Sequence, residues 1–523
     1  MSNAPAPIKK PVVSDLWKSE GTIDRVPYAT LGVSLLSIKY CIDVSIAELI
    51  FHRHWEIWNY IFPGQALDFI RLTGSDRLFY LTLIVLALPF IWIGVVLTMR
   101  RLRSSGLPVF LVKLFFVPVI NLVMFVLLCV LPKEKEESIF TADGGSNPLI
   151  TSADSRTLAP KLRGDSDAPQ SPQSPQSPQL PQSPEPPQLP QWPKPNRPKP
   201  LVVTTTTSNR EEALRTLVQT VPAGLFLIWL GSVLLQSYGW GLFLGVPFGV
   251  GMGSAFLYGK DNPKTMAQCQ GIAALATLSL GFGIMFWAWE GVICLLMASP
   301  IAFALAAMGA YLGYYVQKRS YSIAEQKLIS IALLLSLPSL MGAEYASHPV
   351  APMISVVSEV DIAAPPSVVW NNVIAFPRLK PPTDPIFALG ISYPVGATIT
   401  GRGPGAVRRC RFSTGAFVEP IEVWDEPNLL KFGVRTQPPT MREWSWMHEI
   451  HPAHLEGYLL VHSGQFKLTP IAISGRAGTH LEGTTSYQNR MWPGTYWSLW
   501  SNNIIHRIHM RVLNHIKETT EAS

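Results

Sequence analysis

Charged residues are scarce in this chain of 523 residues. Asp, Glu, Lys and Arg make up 15% of the sequence, against about 25% in typical soluble proteins, while hydrophobic residues make up 48%. This balance indicates a membrane protein, and a length of 523 residues excludes a single compact domain. Lys and Arg exceed Asp and Glu by only seven (42 against 35) and cluster at predicted helix ends, so we expect no nucleic-acid partner.

Cysteine is also rare, and its distribution excludes a disulfide scaffold. Four of the five cysteines lie within apolar segments, and we expect all five to be inert thiols: Cys41, Cys129, Cys269, Cys294 and Cys410.

Two further signals are missing. We expect no cleavable signal peptide, because the first 27 residues are polar and the first apolar run is long and lacks a small-residue cleavage site. No Ser-His-Asp order, paired-carboxylate spacing or cysteine nucleophile stands out, so the sequence predicts neither a catalytic residue nor a cofactor.

Eight long apolar runs are present, each near the ~20 residues that a helix needs to cross a hydrocarbon core about 30 Å thick. Three form a first group, at 29–51, 79–99 and 108–131. Five form a second group, at 217–236, 239–258, 268–288, 290–315 and 326–343. We therefore predict two all-α transmembrane bundles, residues 1–139 and residues 211–345.

Residues 140–210 separate the two groups, and their centre reads SPQSPQSPQLPQSPEPPQLPQWPKPNRPKP. Proline at about every third position removes backbone donors and favours the polyproline II conformation. The segment is predicted to be a stiff, disordered polar linker. A ligand for an SH3-type domain is the alternative.

The residues after 351 show a different pattern. SVVSEVDI alternates as a strand does, and APPSVVWNNVIAFPRL carries prolines suited to a helix start. The last segment, TYWSLWSNNIIHRIHMRVLNHIKETT, has apolar residues at every third or fourth position, as a half-buried helix does. Strand-like runs lie between them, at 397–401, 405–413, 417–424, 429–436, 458–470 and 479–488.

This order of elements resembles the START-like helix-grip (SRPBCC) superfamily, which includes polyketide cyclases and lipid-transfer proteins. The resemblance covers roughly 353–518 and is carried by VDIAAPPSVVWNNVIAFPRL, GAVRRCRFSTGAFVEPIEVWDEPNLLKF and WSNNIIHRIHMRVLNHIK. It implies an α+β helix-grip domain over residues 351–518, in which a sheet wraps around the last helix and leaves a cavity for an apolar ligand.

The first bundle resembles the small YhaH-like family of bacterial inner-membrane proteins. Gly21, Arg25 and Tyr28 loosely match the family's first motif, and the run from Met99 to Ser104 matches its basic loop without the His-Asp pair. The resemblance implies a multi-pass protein of the bacterial inner membrane. For the five-helix bundle, the sequence suggests no family.

Lys39 and Asp43 lie four residues apart in the first apolar run, on one helix face. A charge in hydrocarbon costs about 2.5–3.5 kcal/mol, so an intramembrane pair is a candidate ion or proton pathway. The alternatives are that the two charges only neutralise each other inside the bundle, or that this helix lies partly in the membrane interface.

Alternation along the strand RRCRF places Arg408, Cys410 and Phe412 on one face. If that face lines the core, Arg408 points inward and needs a carboxylate partner from the protein or from a ligand. The candidate protein partners are Glu419, Glu422 and Glu443.

Three histidines in MHEIHPAH raise the question of a metal site: His448, His451 and His454. Glu443 and Glu449 are close in sequence, but Pro452 interrupts a helix that would bring the histidines together. We predict no metal site and expect a polar loop at the cavity rim.

Aromatic residues are dense near the C-terminus, where they would give a cavity apolar walls or simply pack in the core. The predicted ligand-binding residues are Arg408, Glu419, Glu443, Tyr487, Tyr496, Trp497 and Trp500.

Together these features predict a multi-pass membrane protein whose C-terminal domain binds or transfers a hydrophobic small molecule, lipid-like or polyketide-like, at the bilayer. One alternative is a membrane-tethered cyclase or hydrolase that uses Arg408, Glu419 or Tyr487. Another is a transporter or sensor that the C-terminal domain regulates.

The side of the membrane that carries the C-terminal domain stays open. Loops rich in Lys and Arg tend to stay in the cytoplasm, but an eight-span count makes the two bundles disagree about the linker. The disagreement disappears if 108–131, which contains Pro118 and Asn121, is a re-entrant hairpin.

Overall fold

The computed structural model describes residues 17–61, 74–134, 206–319, 321–445 and 448–522. Most of the predicted linker, residues 140–205, lies outside the described residues. A helix begins at Thr206, within the last part of the predicted linker.

The N-terminal region is helical. Its α-helices are α1 (Arg25–Leu49), α2 (Trp58–Ile61), α3 (Gly74–Ser104) and α4 (Ile120–Val130). The second group consists of α5 (Thr206–Trp229), α6 (Val246–Gly259), α7 (Met266–Phe286), α8 (Val292–Gln317) and α9 (Ile323–Ser347). A π-helical turn extends α5 over Leu230–Leu234, and another precedes α6 over Gly241–Gly245.

Within the described part of the chain, seven helices are long and apolar enough to cross a membrane. The eighth apolar run, 108–131, is broken. It forms a 3-10 helix, Val109–Phe116, and then the short α4, with Val119 in the left-handed region at φ 68° between them. The 11 residues of α4 are about 16 Å long, half of what a bilayer core requires.

Helices α6 and α8 pack backbone against backbone because glycine leaves the space. A Cβ on Gly251 would lie 2.0 Å from the carbonyl oxygen of Ala306, and one on Gly309 would lie 2.1 Å from that of Phe248. Small residues at such contacts are typical of helices that pack in membranes. Any larger residue at Gly251 or Gly309 would push the two helices apart.

The C-terminal region is an α+β domain. A seven-stranded antiparallel sheet has the order β1-β9-β8-β5-β4-β3-β2. The strands are β1 (Met353–Ile362), β2 (Pro394–Thr400), β3 (Val407–Phe412), β4 (Gly415–Asp425), β5 (Leu429–Gly433), β8 (Leu459–Ile473) and β9 (Arg476–Asn489). A separate hairpin pairs β6 (Glu443–Trp444) with β7 (Glu449–Ile450).

Three helices accompany the sheet, α10 (Pro366–Ile374), α11 (Pro385–Ala388) and α12 (Gly494–Glu521). The long α12 contacts β1 and β9 at one end of the strand order and β2 at the other, so the sheet curls around this helix. Buried residues alternate along β1, as expected for a strand with one face on a core. Trp370 of α10 and Leu513 of α12 are among the residues that fill this core.

Candidate ligand-binding site

A cavity of about 180 Å³ lies between the inner face of the curled sheet and α12. Strands β3, β4, β5, β8 and β9 form one wall, and the apolar face of α12 forms the other. Most of the lining is apolar, and its larger side chains include Phe412, Phe417, Phe432, Phe466, Ile505 and Ile508.

A buried ion pair supplies polar atoms to this wall. Arg408 of β3 and Glu419 of β4 are direct partners in the antiparallel register, and the Arg408 guanidinium donates to the Glu419 carboxylate. Both side chains line the cavity, and their residues are 2% and 5% exposed. The position of Arg408 therefore follows from strand alternation, and that of Glu419 from strand pairing.

Three aromatic rings surround the Arg408 guanidinium carbon, which lies 5.5, 5.4 and 5.6 Å from the centres of Phe376, Phe432 and Phe466. Such cation–π contacts stabilise a desolvated guanidinium. Burial lowers the pKa of Arg408, but the Glu419 carboxylate outweighs burial, and the net direction is upward. Arg408 is therefore the fixed cation of the cavity.

His509 of α12 also lines the cavity. Its Nε2 is hydrogen-bonded to Thr485 Oγ1 at 2.7 Å, and its Nδ1 lies 3.1 Å from Ser358 Oγ. Ser358 in turn is hydrogen-bonded to His506 Nδ1 at 2.7 Å. Burial, together with the nearby His506, lowers the pKa of His509 to about 4, so its imidazole is neutral at pH 7.

Of the seven predicted ligand-binding residues, three line the cavity: Arg408, Glu419 and Trp497. The other four do not. Tyr487 is buried, and its hydroxyl is hydrogen-bonded to Ser501 and Asn502. Tyr496 donates to the Met297 carbonyl of α8, and Trp500 packs against the same core of apolar residues as Trp497.

Glu443, the remaining predicted residue, caps a helix of the other region. Its Oε1 accepts from the Cys294 backbone N–H at 2.8 Å, and its Oε2 accepts from that of Ile293 at 3.1 Å. A carboxylate at this position satisfies free N–H groups in the first turn of α8. Glu443 therefore joins the C-terminal domain to the helical region.

The helical region contributes to the cavity as well, because Met297 of α8 lies in its wall. A second apolar cavity, of about 310 Å³, lies among the helices and is lined by Phe243 and by parts of α7 and α8. The ring of Phe243 contacts that of Trp497, which lines the first cavity, with 4.7 Å between their centres. The two cavities thus share a wall at this contact.

The three candidate metal-ligating histidines separate in the structure. His448 and His451 are exposed, whereas His454 is buried and lines the cavity. His454 Nδ1 lies 2.9 Å from Glu290 Oε2 of the α7–α8 loop.

Lys39 and Asp43 form a buried ion pair within α1. The Tyr60 hydroxyl also donates to Asp43, and Lys39 Nζ lies 3.5 Å from the Leu83 carbonyl oxygen of α3. The pair is thus engaged by its neighbours, and whether it carries ions stays a prediction.

Sequence reasoning missed His509 and Met297 as cavity residues, and it expected His454 only in a polar loop at the cavity rim. His509 lies in the predicted apolar pattern of α12, next to positions that face the core, so its position on the helix could have indicated it. Met297 belongs to a different region of the chain, and no local pattern connects it to the sheet.

Part of the chain is similar to solved structures of small proteins. The Zhui aromatase/cyclase of Streptomyces sp. R1128 shares 16% identity over 32% of this chain and 94% of its own, with a TM-score of 0.21. Norcoclaurine synthase of Thalictrum flavum shares 12% identity over 33% of this chain and 97% of its own, also with a TM-score of 0.21.

A Bacillus cereus protein shares 14% identity over 32% of this chain and 94% of its own, with a TM-score of 0.21. At these scores the likenesses carry no argument about function, and the description of the fold rests on the chain's own strands and helices. No family model matches the chain, so the YhaH-like resemblance stays a prediction. No curated protein matches it either.

Proposed function

We propose that the C-terminal domain binds a hydrophobic small molecule, lipid-like or polyketide-like, in the cavity between its sheet and α12, and exchanges it with the surrounding bilayer. The observation that carries this proposal is the apolar cavity with a single buried ion pair, Arg408 and Glu419, in its wall.

The lining limits the chemistry of the ligand. An apolar cavity of about 150 Å³ is large enough for a benzene-sized molecule, so a cavity of about 180 Å³ holds at least one ring or a short alkyl segment. Phenylalanine and isoleucine side chains favour an apolar body. The ion pair favours a polar group on the ligand that can accept from Arg408 or donate to Glu419.

The helical region supports the membrane part of the proposal. Seven helices could span a bilayer, and the helical cavity meets the domain cavity at the Phe243–Trp497 contact. A hydrophobic molecule could thus reach the domain without crossing water. Exposure of its apolar surface to water would cost free energy. The bilayer is the proposed source of the ligand, and the bacterial inner membrane is the location implied by the first bundle's resemblance.

Native mass spectrometry of the full chain, released from detergent micelles, tests ligand binding. Ile508 lines the cavity, whereas Leu499 of the same helix is 69% exposed. We expect wild type and Leu499→Trp to carry a bound small molecule and Ile508→Trp, which fills the cavity, to lose it. All three proteins should elute alike in size-exclusion chromatography.

Solvent extraction and mass spectrometry of the bound molecule then give its chemical class. A wild-type chain without any bound molecule would overturn the proposal. So would an Ile508→Trp chain that keeps the molecule as fully as wild type.

A second candidate function is catalysis in the same cavity. It is favoured by one observation: a carboxylate, Glu419, and a neutral imidazole, His509, both lie in the cavity wall. Such a pair could carry out acid–base chemistry on a bound molecule. Loss of turnover in His509→Gln with the bound molecule retained would support catalysis, whereas an unchanged extracted molecule after long incubation would favour binding alone.

A further inference from the structure

Three potential metal ligands meet where the C-terminal domain contacts the helical region. Glu290 lies in the loop between α7 and α8, Cys294 lies in the first turn of α8, and His454 lies in the short 3-10 helix Ala453–Leu455 of the domain. Each of the three residues is 5% exposed. One ligand atom from each lies within 4.8 Å of the other two.

Several of these atoms lack a hydrogen-bond partner within the described part of the chain. They are Glu290 Oε2 and both ring nitrogens of His454. His454 Nδ1 lies 2.9 Å from Glu290 Oε2 but not in hydrogen-bond geometry. Buried polar atoms are nearly always paired, because leaving them unpaired costs free energy, so this group calls for another partner.

We propose that Glu290, Cys294 and His454 bind a zinc ion. One thiolate, one imidazole and one carboxylate are all ligands that zinc accepts, whereas magnesium and calcium prefer oxygen ligands alone. Bound between the unpaired atoms, zinc satisfies the nitrogen of His454 and the oxygen of Glu290 together. Three protein ligands leave the fourth tetrahedral position for a water molecule or a further side chain.

Groups around the cluster fit this assignment. The Tyr238 hydroxyl donates to the other carboxylate oxygen of Glu290, which orients the carboxylate as hydrogen bonds around metal sites commonly do. Glu443 Oε1 lies 4.0 Å from His454 Nε2, but both of its oxygens already accept from the α8 backbone.

The competing arrangement is an imidazolium held between the carboxylates of Glu290 and Glu443. In that arrangement the Cys294 thiol only hydrogen-bonds to Glu290, although it is buried within the same group of potential metal ligands. It also does not account for the missing hydrogen-bond geometry between His454 and Glu290. A metal ion accounts for both observations.

The consequence of the site is structural. Glu290 and Cys294 belong to the helical region and His454 to the domain, so zinc would cross-link the two. The zinc content can be measured independently of the proposed ligand, although His454 also lines the domain cavity.

Zinc content tests the proposal directly. The full chain, purified in detergent with a tag that contains no histidine, is dialysed against zinc and then freed of loosely bound metal. Elemental mass spectrometry should find about one zinc ion per chain in wild type and far less in Cys294→Ser and His454→Ala. Cys41→Ser and His451→Ala, both at exposed positions, serve as matched controls and should keep the metal.

Cobalt absorption gives a second measurement, and this one uses only the wild-type chain, so it does not depend on whether a variant folds. Wild-type chain loaded with Co²⁺ should show the charge-transfer absorption of a cobalt–thiolate bond. Chelator competition should place the zinc affinity of Cys294→Ser at least about 100-fold below that of wild type. A wild-type chain that binds no zinc and gives no thiolate band would overturn the proposal in favour of the imidazolium.

Discussion

At the scale of single residues, the buried pair of Arg408 and Glu419 makes a prediction about stability. Removing one partner of a buried ion pair typically costs about 3–5 kcal/mol, because the other charge stays buried and unpaired. We expect Glu419→Ala to lower the midpoint of thermal unfolding of the C-terminal domain by at least about 6 °C, measured by tryptophan fluorescence of the full chain.

The double variant R408M/E419L controls for lost packing. It removes both charges and keeps apolar volume in the wall, so it should unfold closer to wild type than Glu419→Ala does. If Glu419→Ala unfolds at the wild-type temperature, Arg408 is not held as a desolvated cation.

The lowered pKa of His509 makes the stability of the chain depend on pH. Its pKa falls from 6.5 to about 4 in the folded chain, so the unfolded chain binds more protons between these values. His509 therefore makes its full contribution to the free energy of unfolding above pH 6.5. As the pH falls to 4, this free energy decreases by up to about 3 kcal/mol. Thermal unfolding between pH 4 and pH 7 should show a weaker pH dependence in His509→Gln than in wild type.

The exposed His451→Gln provides the comparison for that experiment. It should follow the wild-type curve. Equal pH dependence in wild type and His509→Gln would show that another group controls acid stability.

At the scale of elements, the cap on α8 connects two regions that are distant in sequence. Glu443 of β6 accepts from the N–H groups of Ile293 and Cys294. Capping by a side chain is worth about 0.5–2 kcal/mol. We expect Glu443→Ala to speed amide hydrogen exchange in the first turn of α8 by roughly 2- to 30-fold, the range that this energy corresponds to.

Glu449→Ala is the matched control, since Glu449 is an exposed glutamate in the same hairpin, whereas the α8 amides donate to Glu443. Its exchange rates in α8 should equal those of wild type. Unchanged exchange in Glu443→Ala would mean that the cap adds nothing to the stability of α8.

At the scale of the whole molecule, the structure bears on sidedness. Because α4 is too short to cross, two of the seven candidate spans precede the linker and five follow it. The basic residues Arg101, Lys264 and Arg319 then all fall on one side, which the distribution of charges predicts to be cytoplasmic. The C-terminal domain meets the loops at the opposite helix ends, where Tyr238 and Glu290 lie.

Reporter fusions in a bacterial host test this arrangement. Alkaline phosphatase, which is active only outside the cytoplasm, should be active when fused after Ser523 and inactive when fused after Glu134. Equal activity at both positions would refute the seven-span topology, and the reverse pattern would refute its orientation.

The sequence predicted a helical N-terminal region and a C-terminal α+β domain, and the structure confirms both. Strand alternation predicted that Arg408 points inward, and the register between β3 and β4 places Glu419 next to it. Pairings between regions could not be predicted in this way. Glu290 and His454 are separated by 164 positions and brought together by domain packing, which leaves no periodic signal in either segment.

The junction between α9 and β1 limits how the protein can work. Helix α9 ends at Ser347 and β1 begins at Met353, so only residues 348–352 connect them. Even fully extended, five residues reach less than about 20 Å. Strand β1 therefore begins within about 20 Å of the end of α9, so the domain is held beside the helical region and could not itself carry the proposed ligand to a distant second membrane.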